Sequence, residues 1–389
     1  MAEDCGRRQV MEKIRIQGGK VFEEEGRFTE RTLYIAGERI VTEEEYFAAG
    51  GQEKTVHAQG CYVIPGLTDI HFHGCVGYDC CDGTLEALKA MAKYELSQGI
   101  TSITPATMTM PEEILFQVAR AAAVYDSKDG ADLCGLYMEG PFISAKKKGA
   151  QKEEYVRKPD VELFERLQSI SGNRFRTVAV APETEGAMDF IRALSGKARI
   201  SLAHMTADYD TACEALKIGA SQITHLYNAM PPFTHREPGP VAAAADDENC
   251  RVELICDGVH IHPAVVRTTF KIFGDDRVIL ISDSMRATGM PDGESELGGQ
   301  TVFKNGRYAT LADGTLAGSV TNLMDCVRRL VKEMGIPLES AIKCASANPA
   351  KAVGIYENYG SLTCGKYANV LILGGELELK MVCHHGEIV

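Results

Sequence analysis

The chain has 389 residues, of which 45% are hydrophobic and 24% are charged. This composition is typical of a folded globular protein and excludes disordered, collagen-like and low-complexity classes. The 54 acidic side chains outnumber the 41 basic ones and give a net charge of −13, which argues against nucleic acid and membranes as partners. The 13 cysteines lack framework spacing, so we expect reduced thiols and a cytoplasmic location.

Both ends of the chain predict short antiparallel strands. Apolar and polar residues alternate in stretches near each terminus, at 13–17, 32–36, 368–373 and 381–384. Glycines between these stretches indicate tight turns. Neither end is long enough to build a core alone, so we expect residues 1–62 and 360–389 to pair into one small β-sandwich domain.

The middle of the chain alternates predicted strands with predicted helices. Eight apolar, β-branched stretches occur at 62–72, 101–106, 133–138, 177–181, 199–203, 222–224, 252–256 and 277–281. Most of them precede a stretch with helical periodicity, which predicts an α/β fold with a (β/α)8 TIM barrel over residues 63–359. After the eighth strand, residues 300–311 predict a hairpin, because Asn305-Gly306 is a favoured two-residue turn.

Polar side chains gather at the downstream ends of these strands. They are His71, His73, Glu139, His204, His225, Asp257, His260 and Asp283. Barrel enzymes build their sites at this end, and imidazoles with carboxylates can hold a divalent cation. A single His there is usually structural. Burying unpaired polar groups at several strand ends costs about 1–3 kcal/mol each, so the whole set predicts a metal centre.

Seven segments carry a resemblance to known proteins. In chain order they are PGLTDIHFHG (65–74), YMEGPF (137–142), THLYNAM (224–230), HREPG (235–239), CDGVH (256–260), SDSMRA (282–287) and LAGS (316–319). With the split sandwich, they resemble the amidohydrolase superfamily and, within it, the family of N-acetylglucosamine-6-phosphate deacetylases. THLYNAM with the downstream HREPG carries the narrower resemblance, because the His-x-His pair alone indicates only the superfamily.

The resemblance implies a metal-dependent hydrolase. Its implied metal ligands are His71, His73, Glu139, His204, His225 and Asp283. In the family, Glu139, His204 and His225 would hold one ion, and His71 with His73 would add a second that Glu139 bridges. We expect one or two ions per subunit, with Zn²⁺ as the first candidate, while Fe²⁺ and other divalent metals remain open.

The resemblance also implies how substrate is handled. Asp283 would be the general acid and base, with a plain ligand role as its alternative. His260 would stabilise an oxyanion or a sugar hydroxyl, with a supporting role to a metal ligand as its alternative. Arg236, Asn228 and the backbone N–H of Ala229 would contact phosphate, in a homodimer whose subunits share the phosphate site. Further substrate contacts would be Ala150, Gln151, Asp257, Leu316, Ala317 and Gly318.

Two departures from the family pattern restrict these expectations. Gln151 stands where some members have His, and because an amide cannot take a proton we expect only a binding role for it. His204 lies in Leu-Ala-His-Met-Thr-Ala, where the family commonly has a Gly-His-Ser-Asn/Asp arrangement. The neighbouring lysines Lys146–Lys148 could steer phosphate or could form a solvated loop.

We therefore expect removal of the acetyl group from N-acetyl-D-glucosamine 6-phosphate in amino-sugar catabolism, with a small phosphorylated substrate. The same reaction on N-acetylgalactosamine 6-phosphate is an alternative that the sequence does not separate. Another amidohydrolase, such as a cyclic amidase or base deaminase, would have little use for Arg236. A metal-free scaffold protein on this fold would be expected to lose ligands that are intact here.

Overall fold

The computed structural model describes residues 12–126 and 128–389. The strands in chain order are β1 (Glu12–Gln17), β2 (Lys20–Phe22), β3 (Phe28–Glu30), β4 (Leu33–Ala36), β5 (Arg39–Val41), β6 (Gln52–His57), β7 (Tyr62–Pro65), β8 (Leu67–Asp69), β9 (Gly74–Cys75), β10 (Tyr78–Asp79), β11 (Ile100–Ile103), β12 (Ala106–Thr107), β13 (Asp132–Leu133), β14 (Leu136–Met138), β15 (Phe175–Val180), β16 (Arg199–Leu202), β17 (Ala220–Ile223), β18 (Arg251–Ile255), β19 (Val278–Ile281), β20 (Gly293–Leu297), β21 (Gln300–Asn305), β22 (Tyr308–Thr310), β23 (Val370–Leu373), β24 (Leu379–His384) and β25 (Glu387–Ile388).

The helices are α1 (Glu43–Ala48), α2 (Leu85–Ser97), α3 (Glu112–Ala123), α4 (Val161–Ser171), α5 (Ala187–Leu194), α6 (Tyr209–Lys217), α7 (Gly239–Asp246), α8 (Pro263–Phe273), α9 (Leu323–Lys332), α10 (Leu338–Ala345) and α11 (Ala347–Ala352). Short 3-10 turns occur at Cys80–Asp82, Ala145–Lys147 and Glu153–Tyr155. Among the described helices, none combines the length and the hydropathy that crossing a lipid bilayer requires.

The described residues group into two compact units. Those up to Gly66, with Tyr356–Val389, form one unit, and Leu67–Ile355 form the other. These limits lie four residues from the expected ones at 62 and 360. The reason is that β7 pairs with β2 and β23 of the first unit, whereas from Leu67 onward the chain pairs within the second.

The first unit is a β-sandwich. Its sheets have the strand orders β5-β4-β1-β6 and β25-β24-β23-β7-β2-β3. Apolar residues from both sheets pack into one buried cluster, here termed the sandwich core, which includes Ile14, Ile16, Val21, Leu33, Ile35, Ile40, Val63, Val370 and Ile372. Side chains alternate between buried and half-buried along β4, as expected for strands with one face on a core.

The second unit is the predicted parallel barrel. Parallel pairing connects β8 to β11 and β11 to β13, and then runs from β12 through β14, β15, β16, β17 and β18 to β19. The cylinder closes just beyond β19, where the N–H of Asp283 donates to the carbonyl of His71 at 2.9 Å and the N–H of His73 donates to that of Ser284 at 2.7 Å. Residues that follow β8 are thereby held beside residues that follow β19.

Two local predictions differ from the structure. The predicted first strand, 62–72, is divided at Gly66, so the His-x-His pair lies in the segment after β8 rather than within a strand. The predicted hairpin is present as β21 and β22, but Asn305 pairs with Tyr308, so its two-residue loop is Gly306–Arg307. A third strand, β20, extends this hairpin because Gly293–Leu297 pairs antiparallel with β21.

Candidate metal centre and substrate cavity

Six of the predicted site residues converge from five strand ends. His71 and His73 follow β8, Glu139 follows β14, His204 follows β16, His225 follows β17 and Asp283 follows β19. All six are buried, and the most exposed of them, Asp283, keeps 7% of its accessible surface. These six residues are termed the ligand cluster below.

Three members of the ligand cluster adopt backbone conformations that normally favour glycine. The φ angle is +43° at His204, +30° at His225 and +49° at Asp283. Such conformations cost about 1–3 kcal/mol each outside glycine, and they persist where the surrounding structure enforces them. The chain therefore turns sharply at these strand ends. The turns direct the three side chains toward one another, and the strained backbone lowers the stability of the protein.

One group of side chains able to hold a metal ion consists of Glu139, His204 and His225. Glu139 Oε1 lies 3.2 Å from His204 Nε2 and 3.0 Å from His225 Nε2. The two imidazole Nε2 atoms are 3.1 Å apart. Three donor atoms from three strands thus share one small volume.

A second such group consists of His71, His73 and Glu139. His73 Nε2 lies 3.2 Å from Glu139 Oε2 and 3.3 Å from Asp283 Oδ1. His71 Nε2 lies 3.5 Å from Glu139 Oε1. Glu139 belongs to both groups: its Oε1 lies near His71, His204 and His225, and its Oε2 lies near His73, so its carboxylate is placed where it could bridge two ions.

The outer nitrogens of three imidazoles are held by oxygen acceptors. The Nδ1 of His71 lies 2.8 Å from Glu253 Oε2, that of His73 lies 3.3 Å from Ala106 O and that of His204 lies 2.8 Å from Lys147 O. An Nδ1–H that donates to such an oxygen leaves Nε2 free for a cation. The Nε2 of His71 is buried without a hydrogen-bond partner among the described residues, as is the Nδ1 of His225. The donor set fits a divalent cation.

Charges within the cluster shift its pKa values. Burial raises the pKa of Glu139, but the charge of His204 and hydrogen bonds from His204 and His225 hold it well below its usual range. Burial lowers the pKa of His73, but hydrogen bonds to Asp283 and Glu139 raise it to about 10. Burial raises the pKa of Asp283, but the hydrogen bond from His73 lowers it overall. A cation entering the cluster must therefore displace a proton from an imidazole.

The ligand cluster faces a cavity of about 390 Å³, which is within the usual range for small-molecule sites. Predicted substrate contacts that line it are Ala150, Gln151, Asn228, Ala229, His260, Leu316, Ala317 and Gly318. Lys146 and Lys147 also line the cavity, so they do not lie on a wholly solvated loop, which was one of the two alternatives for the run Lys146–Lys148. Two predicted contacts do not line it: Asp257 is buried, and Arg236 is exposed on the loop before α7.

Asp257 and His260 form a buried pair at the cavity wall. The Nδ1 of His260 lies 2.7 Å from Asp257 Oδ2, while Asp257 Oδ1 accepts the backbone N–H groups of Val259 and His260 at 2.9 and 3.0 Å. The Nε2 of His260 lies 3.1 Å from the carbonyl oxygen of Ala317. Burial lowers the pKa of His260, but its hydrogen bond to Asp257 raises it overall. Both ring nitrogens of His260 therefore have an oxygen partner, and the ring itself lines the cavity.

Gln151 contacts the ligand cluster directly. Its Nε2 donates to Glu139 Oε2 at 2.8 Å, and its Oε1 accepts the backbone N–H of Thr109 at 2.6 Å. The Thr109 contact fixes which end of the amide faces Glu139. Sequence analysis gave Gln151 only a contact with substrate, because a contact between side chains 12 residues apart in irregular loops leaves no periodic signal.

Residue 318 must be glycine because the backbone of Asp283 passes too close to it for a side chain. A Cβ atom at this residue would lie 2.8 Å from the carbonyl oxygen of Asp283, which is closer than real Cβ contacts come. Ser319 donates its backbone N–H to the same oxygen at 2.7 Å. The segment Leu316–Gly318 is thereby fixed beside the end of β19 and at the cavity wall.

Glu253 is a buried acidic residue that sequence analysis missed. It lies in β18 with 0% exposure and contacts His71, Gln222 and the backbone of His225. The available signal was an ionisable residue inside the apolar stretch 252–256. Glu253 lies in the interior of the strand, away from the strand ends at which the predicted ligands lie.

Comparisons with known proteins agree with this geometry. The Amidohydrolase family matches residues 62–389. The chain is 40% identical over 332 residues, 84% of each chain, to N-acetylglucosamine-6-phosphate deacetylase of Bacillus subtilis (strain 168). It is 34% identical over 329 residues, covering 84% of this chain and 87% of the relative, to N-acetylgalactosamine-6-phosphate deacetylase of Escherichia coli O157:H7.

A solved structure has the same fold throughout. It is a variant of N-acetyl-D-glucosamine-6-phosphate deacetylase from Mycobacterium smegmatis in complex with N-acetyl-D-glucosamine-6-phosphate. The two align with a TM-score of 0.87 and 29% sequence identity, over 97% of this chain and 99% of that one. The barrel, the sandwich and the metal-capable side chains agree with the family match, and the chain belongs to the amidohydrolase family.

Proposed function

We propose that the protein is a divalent-metal hydrolase that removes the acetyl group from N-acetyl-D-glucosamine 6-phosphate, yielding D-glucosamine 6-phosphate and acetate in amino-sugar catabolism. The observation that carries this proposal is the convergence of four imidazoles and two carboxylates in one cluster, five of which line a single cavity. The names of the relatives supply the substrate class. All twelve cysteines among the described residues are free thiols, which supports a reducing, cytoplasmic setting.

The ligand cluster would hold two ions, with Zn²⁺ as the first candidate. His204 and His225 would hold one, His71 and His73 would hold the other with Asp283 beside it, and Glu139 would bridge both. Bound there, divalent cations supply a Lewis acid for the acetyl carbonyl and lower the pKa of water toward about 7. The protein residues supply the remaining steps.

Asp283 would move the proton. Its lowered pKa keeps the carboxylate ionised at neutral pH, and it lines the cavity. It would accept a proton from the attacking water as the new C–O bond forms. It would then give that proton to the sugar nitrogen as the C–N bond breaks, so that the amine leaves neutral.

His260 would stabilise negative charge that develops on the acetyl oxygen, or would hold a sugar hydroxyl. Asp257 fixes the ring through Nδ1, and the raised pKa of His260 favours a protonated ring, whose Nε2–H would exchange the carbonyl oxygen of Ala317 for the substrate oxygen. Ala150, Gln151 and Leu316–Gly318 would contact the sugar, since they line the same cavity.

The phosphate would contact Asn228, the backbone N–H of Ala229 and Arg236. The first two line the cavity, whereas Arg236 is exposed and outside its lining. Its place outside the lining fits the arrangement that the family resemblance implies, in which this arginine serves the cavity of a second subunit. We therefore include a homodimer with shared phosphate sites in the proposal.

Acetate release from matched sugars tests the proposed reaction. The substrates are N-acetylglucosamine and N-acetylgalactosamine, each with and without a 6-phosphate. We expect the phosphorylated gluco sugar to have the highest kcat/KM. A preference for the phosphorylated galacto sugar would instead support the second candidate, which the 34% identical Escherichia coli relative favours. A preference for unphosphorylated sugars would overturn the phosphate site.

Arg236→Gln tests the phosphate contact and the dimer together. A lost charge-assisted hydrogen bond is worth roughly 1.5–3 kcal/mol, so kcat/KM should fall about 10- to 100-fold for the phosphorylated sugar. The rate with the unphosphorylated sugar should not change. Mixing Arg236→Gln subunits with Asp283→Asn subunits should restore activity, because one site then combines an intact ligand cluster with an arginine from the other subunit. No restoration would place Arg236 in its own site or in none.

A further inference from the structure

We propose that Glu253 is a positioning residue of the metal centre: it fixes the ring of His71 and the backbone of His225, and so holds ligands of both ions in register. The inference rests on the proposed function, because it assumes that the ligand cluster binds divalent cations. It assigns a role to a side chain that does not line the substrate cavity.

The surroundings of Glu253 consist of hydrogen-bond donors. Its Oε2 lies 2.8 Å from His71 Nδ1 and 3.3 Å from the backbone nitrogen of His225, and its Oε1 accepts the Nε2 of Gln222 at 2.6 Å. Glu253 has 0% exposure, and burial of a carboxylate is costly unless such donors replace water. With the amide and backbone N–H groups facing it, the glutamate acts as an acceptor.

An acceptor at this place determines the tautomer of His71. Its Nδ1 carries the hydrogen that Glu253 accepts, so the lone pair of the neutral ring lies on Nε2. That Nε2 points into the ligand cluster, 3.5 Å from Glu139 Oε1 and 3.9 Å from Asp283 Oδ1. A carboxylate behind a metal-binding imidazole also raises its basicity, and loss of such a partner typically weakens metal binding about 10- to 100-fold.

Glu253 also holds the turn that carries His225. The backbone at His225 has a φ of +30°, a conformation that its surroundings must enforce. The Glu253 side chain accepts the N–H of His225, and the Glu253 backbone carbonyl accepts the N–H of Leu226 at 2.8 Å. Because His225 belongs to the group with Glu139 and His204, one residue of β18 supports ligands on both sides of Glu139.

Zinc affinity measured on three purified variants tests this role. Glu253→Met removes the acceptor at similar volume, and Glu253→Gln keeps an acceptor oxygen but removes the charge. The control is Glu95→Gln, the same substitution at another fully buried glutamate, on α2 and outside the ligand cluster. Because burial raises the pKa of Glu95 well above its usual value, this variant controls for the substitution in a buried site and not for the loss of a charge. Each protein is stripped of metal, checked for fold by circular dichroism and titrated with Zn²⁺ against a chromophoric chelator, with ions per chain counted by elemental analysis.

We expect zinc affinity to fall about 10- to 100-fold in Glu253→Met and about tenfold in Glu253→Gln, and to stay at the wild-type value in Glu95→Gln. Should Glu253→Met fail to fold, the Gln variant decides alone. Wild-type affinity in a folded Glu253→Gln, or an equal loss in the Glu95 control, would overturn the positioning role while leaving the proposed function intact. A wild-type protein that takes up no ion would overturn both.

Discussion

The ligand cluster and the sandwich core are buried to a similar degree, but their chemistry is opposite. The sandwich core consists of side chains such as Ile14, Ile35 and Val370, which gain free energy by leaving water. The ligand cluster buries imidazoles and carboxylates, whose removal from water is costly unless partners or an ion replace it. The sandwich core therefore stabilises the protein by itself, whereas the contribution of the ligand cluster to stability depends on the ions that it binds.

The backbone shows the same contrast. Positive φ angles in the sandwich unit fall largely on glycines such as Gly18, Gly26 and Gly37, which adopt them without strain. At the ligand cluster they fall on His204, His225 and Asp283. The strained backbone at the ligand cluster lowers the free energy of unfolding but points the donor atoms toward one another. Unstrained turns and apolar packing in other parts of the protein offset this loss of stability.

Asp283→Asn should give the largest effect on turnover. The amide has nearly the same shape but cannot accept the proton from water, so kcat should fall roughly 10²- to 10⁴-fold. Substrate binding by calorimetry and circular dichroism should change little. Turnover near the wild-type value would remove Asp283 from proton transfer and leave it as a ligand alone.

His260→Asn should destabilise the metal-free protein in a pH-dependent way. Burial lowers the pKa of His260, but Asp257 raises it overall, so the stabilisation is fully present below the unfolded pKa of about 6.5 and is lost as pH rises through the folded pKa. The pKa of Asp257 is lowered, because hydrogen bonds from His260 outweigh burial, so its contribution is lost only at acidic pH.

Urea unfolding of both proteins at pH 6 and pH 9 measures this difference. We expect the substitution to cost about 2 kcal/mol at pH 6 and clearly less at pH 9. An equal cost at the two pH values would show that the ion pair with Asp257 does not contribute to stability.

Ile35→Val in the sandwich core should have the smallest effect of these substitutions. It tests whether the sandwich core contributes to stability without contributing to turnover. Ile35 has 0% exposure, and loss of one buried methylene group costs about 1 kcal/mol in the free energy of unfolding. The kcat should stay at the wild-type value, since the residue has no part in the chemistry. A tenfold fall in kcat would contradict the separation of the two roles.

The sequence predicted the barrel because its strands are apolar runs followed by helical periodicity, and those signals are local. It also predicted that His71, Glu139 and His225 come together, because parallel strands bring their carboxyl ends to one face. The division at Gly66 was missed although Pro65-Gly66 is a turn signal, because β7 and β8 follow each other directly in the chain and differ mainly in the strands that they pair with.

Contacts that depend on three-dimensional packing were harder to predict. The bonds from Glu253 to His71 and from Gln151 to Glu139 join irregularly spaced residues, so no sequence period indicates them. Arg236 is exposed and lies outside the cavity lining, so its expected contact with phosphate in a site shared between subunits stays a prediction.

The most direct test of the account is acetate release from N-acetyl-D-glucosamine 6-phosphate by protein whose metal content has been counted. Stripping with a chelator should abolish turnover, and adding Zn²⁺ back should restore it in proportion to bound ions, up to about two per chain with Glu139 shared. Full turnover by protein that contains no divalent metal would contradict the central claim that the converging imidazoles and carboxylates act by holding cations.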